Sequence, residues 1–247
     1  MKYFLIALQF LTRIPVKIKE EIQPQDYGRS MAWFPLVGLV LGICSVLIFK
    51  TAVIFFPKAV AEILALSSYV FLTGALHIDG LADTWDGLCG GRGDPEKTLK
   101  IMKDSSVGAM GSLAISLDLL LRFVLLDSLP LTKLPQALIA MAVLGRWTQI
   151  VFVLNSTSPK PNSRAGYFNS SLTPAIFIFA SGLMLLICAF IVKPVALISV
   201  LAFLSLFGLL CRNYFKRKIG GITGDTIGAV NETSEIFVLL WMNMAVI

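Results

Sequence analysis

The chain has 247 residues, of which 56% are hydrophobic and only 15% are charged, and its mean hydropathy is +0.81. These values exclude an ordinary soluble globular domain and are typical of a polytopic membrane protein. The formal net charge of +6 would suit nucleic acid in a soluble protein, but here it favours anionic lipid and anionic substrates, and we expect no nucleic-acid partner.

The first 21 residues are basic and apolar but lack the small-residue cleavage site of a signal peptide, so they predict a retained interfacial helix. Seven later stretches approach the roughly 20 apolar residues that cross a bilayer. They are 31–49, 59–77, 107–127, 136–154, 174–192, 195–211 and 226–247. The chain is therefore expected to be all-α, a transmembrane helical bundle of about seven spans forming a single domain over 1–247. Because the last three stretches are short or polar in places, six or eight crossings stay open.

Basic residues are distributed unequally between the two sides that these spans define. The N-terminus and the even-numbered loops contain most of them, whereas the other side has Lys50, Lys58, Lys133 and Lys193. The positive-inside rule therefore predicts a multi-pass protein of the cell (inner) membrane with its N-terminus in the cytoplasm.

The second stretch is followed by HIDGLADTWDG (77–87). If this segment continues as helix, Asp79, Asp83 and Asp86 lie within about 60° of one another on one face. Carboxylates so close repel one another unless a cation lies among them, and hard oxygen ligands suit Mg²⁺ or Mn²⁺. His77 lies on the side of this helix opposite Asp79, and we do not expect it to be a ligand of the ion.

The segment KTLKIMKDSSVGAMG (97–111) brings Lys100, Lys103 and Asp104 to the same surface. Cations beside carboxylates are typical of a site for a metal-bound diphosphate. The positive-inside rule alone would account for some of these lysines. It does not account for Asp104, because an acidic residue contributes little to membrane orientation.

Charged residues also lie inside the apolar stretches. Asp118 and Arg122 are spaced to pair on one helix, which would offset part of the cost of burial. Arg146 has no acid near it in its own stretch, so it should reach either an acid on another helix or an anionic ligand.

The last loop, GGITGDTIGAVNETSE (220–235), predicts a glycine turn followed by a helix with an acidic stripe formed by Asp225, Glu232 and Glu235. Helix capping accounts for Asp225 but not for two glutamates in an apolar stretch. The richest polar motifs thus fall on the predicted cytoplasmic side, which favours an interfacial active site over a channel.

Five segments in this order resemble cobalamin synthase, the adenosylcobinamide-GDP ribazoletransferase family, over nearly the whole chain. They are FLTRIP, FPLVGLVLG, HIDGLADTWDG, MKDSSVGAMG and GGITGDTIGA. The resemblance implies a membrane transferase that joins adenosylcobinamide-GDP to α-ribazole or α-ribazole 5′-phosphate and releases GMP late in cobalamin (vitamin B12) biosynthesis. It also implies a divalent ion, usually Mg²⁺, and is compatible with a homo-oligomer or with association with other enzymes of the pathway.

The residues suggest how such a reaction would proceed. Asp83 and Asp86 are expected to hold the ion, with Asp79 and Asp104 as further ligands or as the base. Asp79 and Glu232 are the candidates to accept the proton of the attacking 3′-hydroxyl. The predicted catalytic set is Asp79, Asp83, Asp86, Asp104 and Glu232. The predicted substrate-binding set is Arg92, Lys100, Lys103, Arg146, Gly224 and Asp225.

Two alternatives use the same acidic residues. DTWDG (83–87) is similar to the start of the metal motif of CDP-alcohol phosphotransferases, so a lipid-modifying transferase is one alternative. A transporter is the other, but it predicts inverted repeats and helices broken at the midplane, neither of which the sequence shows, and Asp118 with Arg122 is the one deep pair that the sequence offers.

Overall fold

The computed structural model describes residues 1–244, and all regular secondary structure in that part is helical. The first half contains α1 (Lys2–Leu11), α2 (Pro24–Ser30), a 3₁₀ turn (Met31–Trp33), α3 (Phe34–Phe55), α4 (Lys58–Thr73), α5 (Leu76–Gly91) and α6 (Pro95–Ile101). The second half contains α7 (Ala109–Asp127), α8 (Leu134–Val153), α9 (Arg164–Ser171), α10 (Pro174–Ala189), α11 (Pro194–Ile219) and α12 (Gly224–Met244). The predicted all-α class is confirmed.

Each of the seven predicted apolar stretches contains a helix, but not all of these helices qualify as membrane spans. Within the described residues, α3, α7, α8 and α11 are long and apolar enough by themselves, and the bent pairs α4–α5 and α9–α10 raise the number to six. The expected polytopic membrane protein is confirmed, with four to six candidate spans rather than seven. The last three residues of the predicted stretch 226–247 lie outside the described residues.

α12 does not qualify as a membrane span, because Asn231, Glu232 and Glu235 lower its mean hydropathy. Most of its residues are buried against α8, α5, α7 and α11. An interior helix can contain polar groups when its neighbours bond them, so α12 belongs to the core of the bundle.

The centre of the bundle is α8, whose residues are almost all buried against α3, α12, α11 and α10. Two glycines let α3 approach it closely. A Cβ at Gly38 would lie 2.5 Å from the Ala142 carbonyl oxygen, and one at Gly42 would lie 2.8 Å from the Ile139 Cα. This small-xxx-small spacing is typical of close helix pairs in membranes and accounts for the glycines of FPLVGLVLG.

The chain turns by 84° between α4 and α5. Gly74 and Ala75 both adopt left-handed backbone conformations there, with φ of 65° and 59°. The Arg13 backbone N–H donates to the Leu72 carbonyl at 2.7 Å, which ties the segment after α1 to this corner. The acidic segment is therefore helical, but it forms a separate helix after the bend and does not continue the second stretch in a straight line.

Candidate active site

The three aspartates of α5 share one side of a continuous helix, as predicted. Asp79 is exposed, whereas Asp83 and Asp86 are half-buried. The opposite side is buried and includes His77, which is 4% exposed. α5 thus presents carboxylates outward while its small residues pack inward.

The first turn of α12 crosses this helix at very short range. A Cβ at Gly80 would lie 2.8 Å from the Asp225 carbonyl oxygen, and one at Gly228 would lie 3.0 Å from the His77 carbonyl oxygen. The crossing brings Asp225 close to Asp79. Burial raises the pKa of the Asp225 carboxyl and the charge of Asp79 adds to this, while a hydrogen bond from Thr223 acts in the opposite direction. Two motifs far apart in sequence therefore meet at one acidic cluster.

Asp86 has a structural partner that the sequence did not indicate. Its carboxylate accepts hydrogen bonds from the backbone N–H of Gly108 at 2.7 Å and of Gly111 at 2.9 Å. A Cβ at either glycine would collide with that carboxylate. Asp86 therefore holds the start of α7 against α5, where negative charge also suits the positive end of a helix.

Asp104 lies in the loop between α6 and α7, and its carboxylate accepts two hydrogen bonds from Ser106, at 2.7 Å from the hydroxyl and 3.0 Å from the backbone N–H. These bonds hold the pKa of Asp104 below its usual value. Among the residues that the structure describes, no three Asp, Glu, His or Cys side chains converge closely enough to hold a metal ion. The predicted set of Asp79, Asp83, Asp86 and Asp104 is thus not assembled as a preformed cage, and the metal assignment stays a prediction.

The predicted substrate-binding residues outside the buried helices lie in two places. Lys103 and Gly224 line a small cavity together with Asp225 and Lys160. Arg92 ends α5 in a left-handed conformation, and Lys100 lies on the outer side of α6; neither forms an ion pair within residues 1–244. Lys160 was not among the predicted site residues, although its place in a basic loop of the predicted cytoplasmic side was a signal for it.

Two predicted site residues, Glu232 and Arg146, lie instead in a buried charged network. Arg122 donates to Glu232 at 2.6 Å and to Asp118 at 2.8 Å, which confirms the predicted pair of Asp118 and Arg122. Arg146 is fully buried and bonds to Glu235, so its partner is an acid on another helix. Charges inside a membrane protein are typically paired in this way.

Neutral side chains complete the network. Tyr69 donates to Glu235 at 2.6 Å, and Asn231 accepts from Arg146 at 2.8 Å and from Gln149 at 2.9 Å. His77 lies beside this group, with its Nε2 atom 3.1 Å from the Gln149 amide nitrogen. Tyr69 and Gln149 give no signal in the sequence, because a single polar residue in an apolar stretch has no spacing that reveals its partners.

A bundle of apolar helices, a charged core and an acidic surface cluster beside lysines together define a membrane protein suited to binding phosphorylated substrates. The chain belongs to the cobalamin-5-phosphate synthase family, whose model matches residues 3–243. The family predicted from the five motifs is confirmed, and with it a transferase of cobalamin biosynthesis.

Three relatives are described as adenosylcobinamide-GDP ribazoletransferase. The protein of Acetivibrio thermocellus is 34% identical over 97% of this chain and 96% of its own length. That of Clostridium botulinum strain 657 is 37% identical over 98% of this chain and 97% of its own. That of Clostridioides difficile strain 630 is 34% identical over the full chain and 98% of its own. No solved structure matches this chain.

Proposed function

We propose that the acidic side of α5, the first turn of α12 and the loops beside them form the active site of this adenosylcobinamide-GDP ribazoletransferase. There adenosylcobinamide-GDP would react with α-ribazole or its 5′-phosphate, with release of GMP. The observation that carries the proposal is the crossing at Gly80 and Gly228, which brings Asp225 beside Asp79. It unites two of the family motifs at one surface.

The donor set fits Mg²⁺, and Mn²⁺ as a substitute, because carboxylate oxygens are the ligands that these ions prefer. Mg²⁺ is usually bound through one or two carboxylates together with substrate phosphates and water, so a cage of three or four acids is not required. We assign this role to Asp83, which lies one turn from Asp79 on α5. When bound, the ion would neutralise charge on the diphosphate.

The chain's own residues would supply positioning and proton transfer. Asp79 is exposed at the cluster, whereas Glu232 is 3% exposed and bonded to Arg122, so we favour Asp79 over Glu232 as acceptor of the hydroxyl proton. Asp225, which lies close to Asp79, would bind the ribose. Arg92 and Lys100 would neutralise phosphate oxygens of the diphosphate.

The site would face the cytoplasm. Lys58 and Asp127, at two helix ends on the predicted outer side, form an ion pair at 3.3 Å. At the other end, the Thr157 carbonyl accepts from Ile222, which joins two loops of the predicted inner side. These contacts support the division of the loops into two sides, and the basic-residue count supports the orientation.

The proposal is tested by GMP release from detergent-purified protein given adenosylcobinamide-GDP and α-ribazole 5′-phosphate, with Mg²⁺ or with EDTA. We expect GMP only when both substrates and Mg²⁺ are present, and a loss of about a hundredfold or more in the Asp83→Asn variant. Asp127→Asn is the matched control, because Asp127 lies at the far end of α7. Folded wild-type protein that releases no GMP would contradict the assigned reaction, and full activity of Asp83→Asn would contradict the assigned site.

A further inference from the structure

Two lysines from distant segments meet beside the acidic cluster. Lys103 directly follows α6, and Lys160 lies in the loop between α8 and α9. Both line a cavity of about 160 Å³ whose other walls include Thr223, Gly224 and Asp225. The cavity is therefore shared by three loops and by the first turn of α12.

The backbone on the Lys103 side is anchored by its neighbour in sequence. Met102 is 4% exposed, and its side chain lies where a Cβ at Gly87 of α5 would have to be. The Met102 backbone N–H also bonds to the Thr98 carbonyl at 3.0 Å. Lys103 is thus fixed to the same helix that contains the three aspartates.

The backbone on the Lys160 side is anchored to the turn before α12. The Ile222 N–H donates to the Thr157 carbonyl at 2.7 Å, and the Thr157 hydroxyl donates to the Gly220 carbonyl at 3.2 Å. The Ser163 hydroxyl donates to the Lys160 carbonyl at 2.7 Å. Since both backbones are held, the fold places the two lysines at the same cavity.

Two ammonium groups held side by side repel each other. Contact with Lys103 lowers the pKa of Lys160 below its usual value, burial adds to this, and the charge of Asp225 offsets only part of it. Neither lysine forms an ion pair at 4 Å or less in the described part of the chain. Such a pair is stabilised when an anion binds between the two groups, and a phosphate offers oxygens to both.

We propose that Lys103 and Lys160 form the binding site for the 5′-phosphate of the nucleotide substrate. The inference rests on the proposed function. Asp225 lines the cavity and lies within electrostatic reach of both Asp79 and Lys160, so the cavity and the reaction centre share this residue. The reacting 3′-hydroxyl and the 5′-phosphate belong to one ribose, and a ribose held at Asp225 would direct its phosphate to the lysine pair.

We assign a single phosphate to this cavity because the diphosphate of the second substrate is assigned to the acids of α5. The space of about 160 Å³ is ample for one phosphate group. The positive end of α12, which begins at Gly224, adds a favourable field for an anion. The diphosphate, in contrast, would lie at the α5 acids with the divalent ion.

Steady-state kinetics with two acceptors tests the site. Wild type, Lys103→Met, Lys160→Met and Lys160→Arg are assayed with α-ribazole 5′-phosphate and with α-ribazole, at saturating adenosylcobinamide-GDP and Mg²⁺. We expect each Met variant to lower kcat/KM for the phosphorylated acceptor about tenfold or more, mainly through KM, and to change kcat/KM for α-ribazole less than about twofold. Lys160→Arg should restore most of the loss, because it keeps the charge.

Lys216→Met is the matched control, because Lys216 is an exposed lysine near the end of α11 and does not line the cavity. Equilibrium binding of α-ribazole 5′-phosphate in EDTA should weaken by a similar factor in both Met variants, without any turnover.

Three results separate the proposals. Equal losses for both acceptors, or a rise only in the KM for adenosylcobinamide-GDP, would overturn the 5′-phosphate site while the proposed reaction stands. Wild-type protein that uses neither acceptor would overturn the proposed function itself.

Discussion

At the scale of single residues, the three aspartates of α5 have different surroundings although they share one face. Asp86 accepts two backbone hydrogen bonds from the start of α7, whereas Asp79 is exposed beside Asp225. The sequence predicted that the three lie together, because their spacing alone determines this on a helix. It could not predict the partners of Asp86, which come from a segment more than 20 residues away and depend on how α7 packs.

This difference predicts that Asp86→Asn destabilises the protein more than Asp83→Asn. An amide has one acceptor oxygen and no charge, so Gly108 or Gly111 loses a charge-assisted bond worth about 1.5–3 kcal/mol. We expect the apparent Tm in detergent to fall by several degrees in Asp86→Asn and to change little in Asp83→Asn. Both variants should lose GMP release. Equal Tm values for the two variants would show that Asp86 does not hold α7.

At the scale of helices, the apolar stretches and their order could be predicted because a bilayer demands long apolar segments. The break between α4 and α5 could not. Gly74 favours a left-handed turn, but Ala75 does not, and it adopts one only in the packed corner beside Arg13. The interior position of α12 was also hidden, because the residues that bond its glutamates, Arg122 and Arg146, lie on other helices.

The close crossing of α5 and α12 predicts that Gly80→Ala impairs catalysis. The added Cβ would lie 2.8 Å from the Asp225 carbonyl oxygen, so the first turn of α12 must move away from the aspartates. A misplacement of about 1 Å at a catalytic centre can cost about a hundredfold in rate, and this clash requires a somewhat smaller movement. We expect kcat to fall by at least about tenfold while the protein stays folded by circular dichroism.

Gly182→Ala in α10 is the matched control for this substitution. A Cβ at Gly182 meets nothing within 4 Å, so its activity and Tm should match those of the wild type. Wild-type kcat in Gly80→Ala would mean that the spacing between Asp79 and Asp225 is not important for the reaction.

At the scale of the whole molecule, charge is arranged in three levels along the bundle. Lys58, Glu62 and Asp127 lie at one end, the network of Arg122 and Arg146 lies in the interior, and the acids of α5 lie at the other end. The count of lysines and arginines in the sequence predicts which loops lie at the same end of the bundle, because it depends on loop composition and not on packing. Apart from the pair of Asp118 and Arg122, the contacts of the interior network could not be predicted from the sequence, because its residues come from α4, α7, α8 and α12.

This arrangement predicts which parts of the chain a membrane-impermeant thiol reagent reaches in intact cells. Cys89 is exposed near the end of α5, on the predicted cytoplasmic side, and Lys133 is exposed on the opposite side. We expect Lys133→Cys, in a Cys89→Ser background, to be labelled in intact cells, and Cys89 in the wild type to be labelled only after permeabilisation. The Cys89→Ser protein without Lys133→Cys measures background from the other cysteines. Labelling of Cys89 from outside would reverse the orientation and move the active site to the outer face. That outcome would conflict with a nucleotide-linked substrate supplied from the cytoplasm, so the labelling pattern also tests where the reaction occurs.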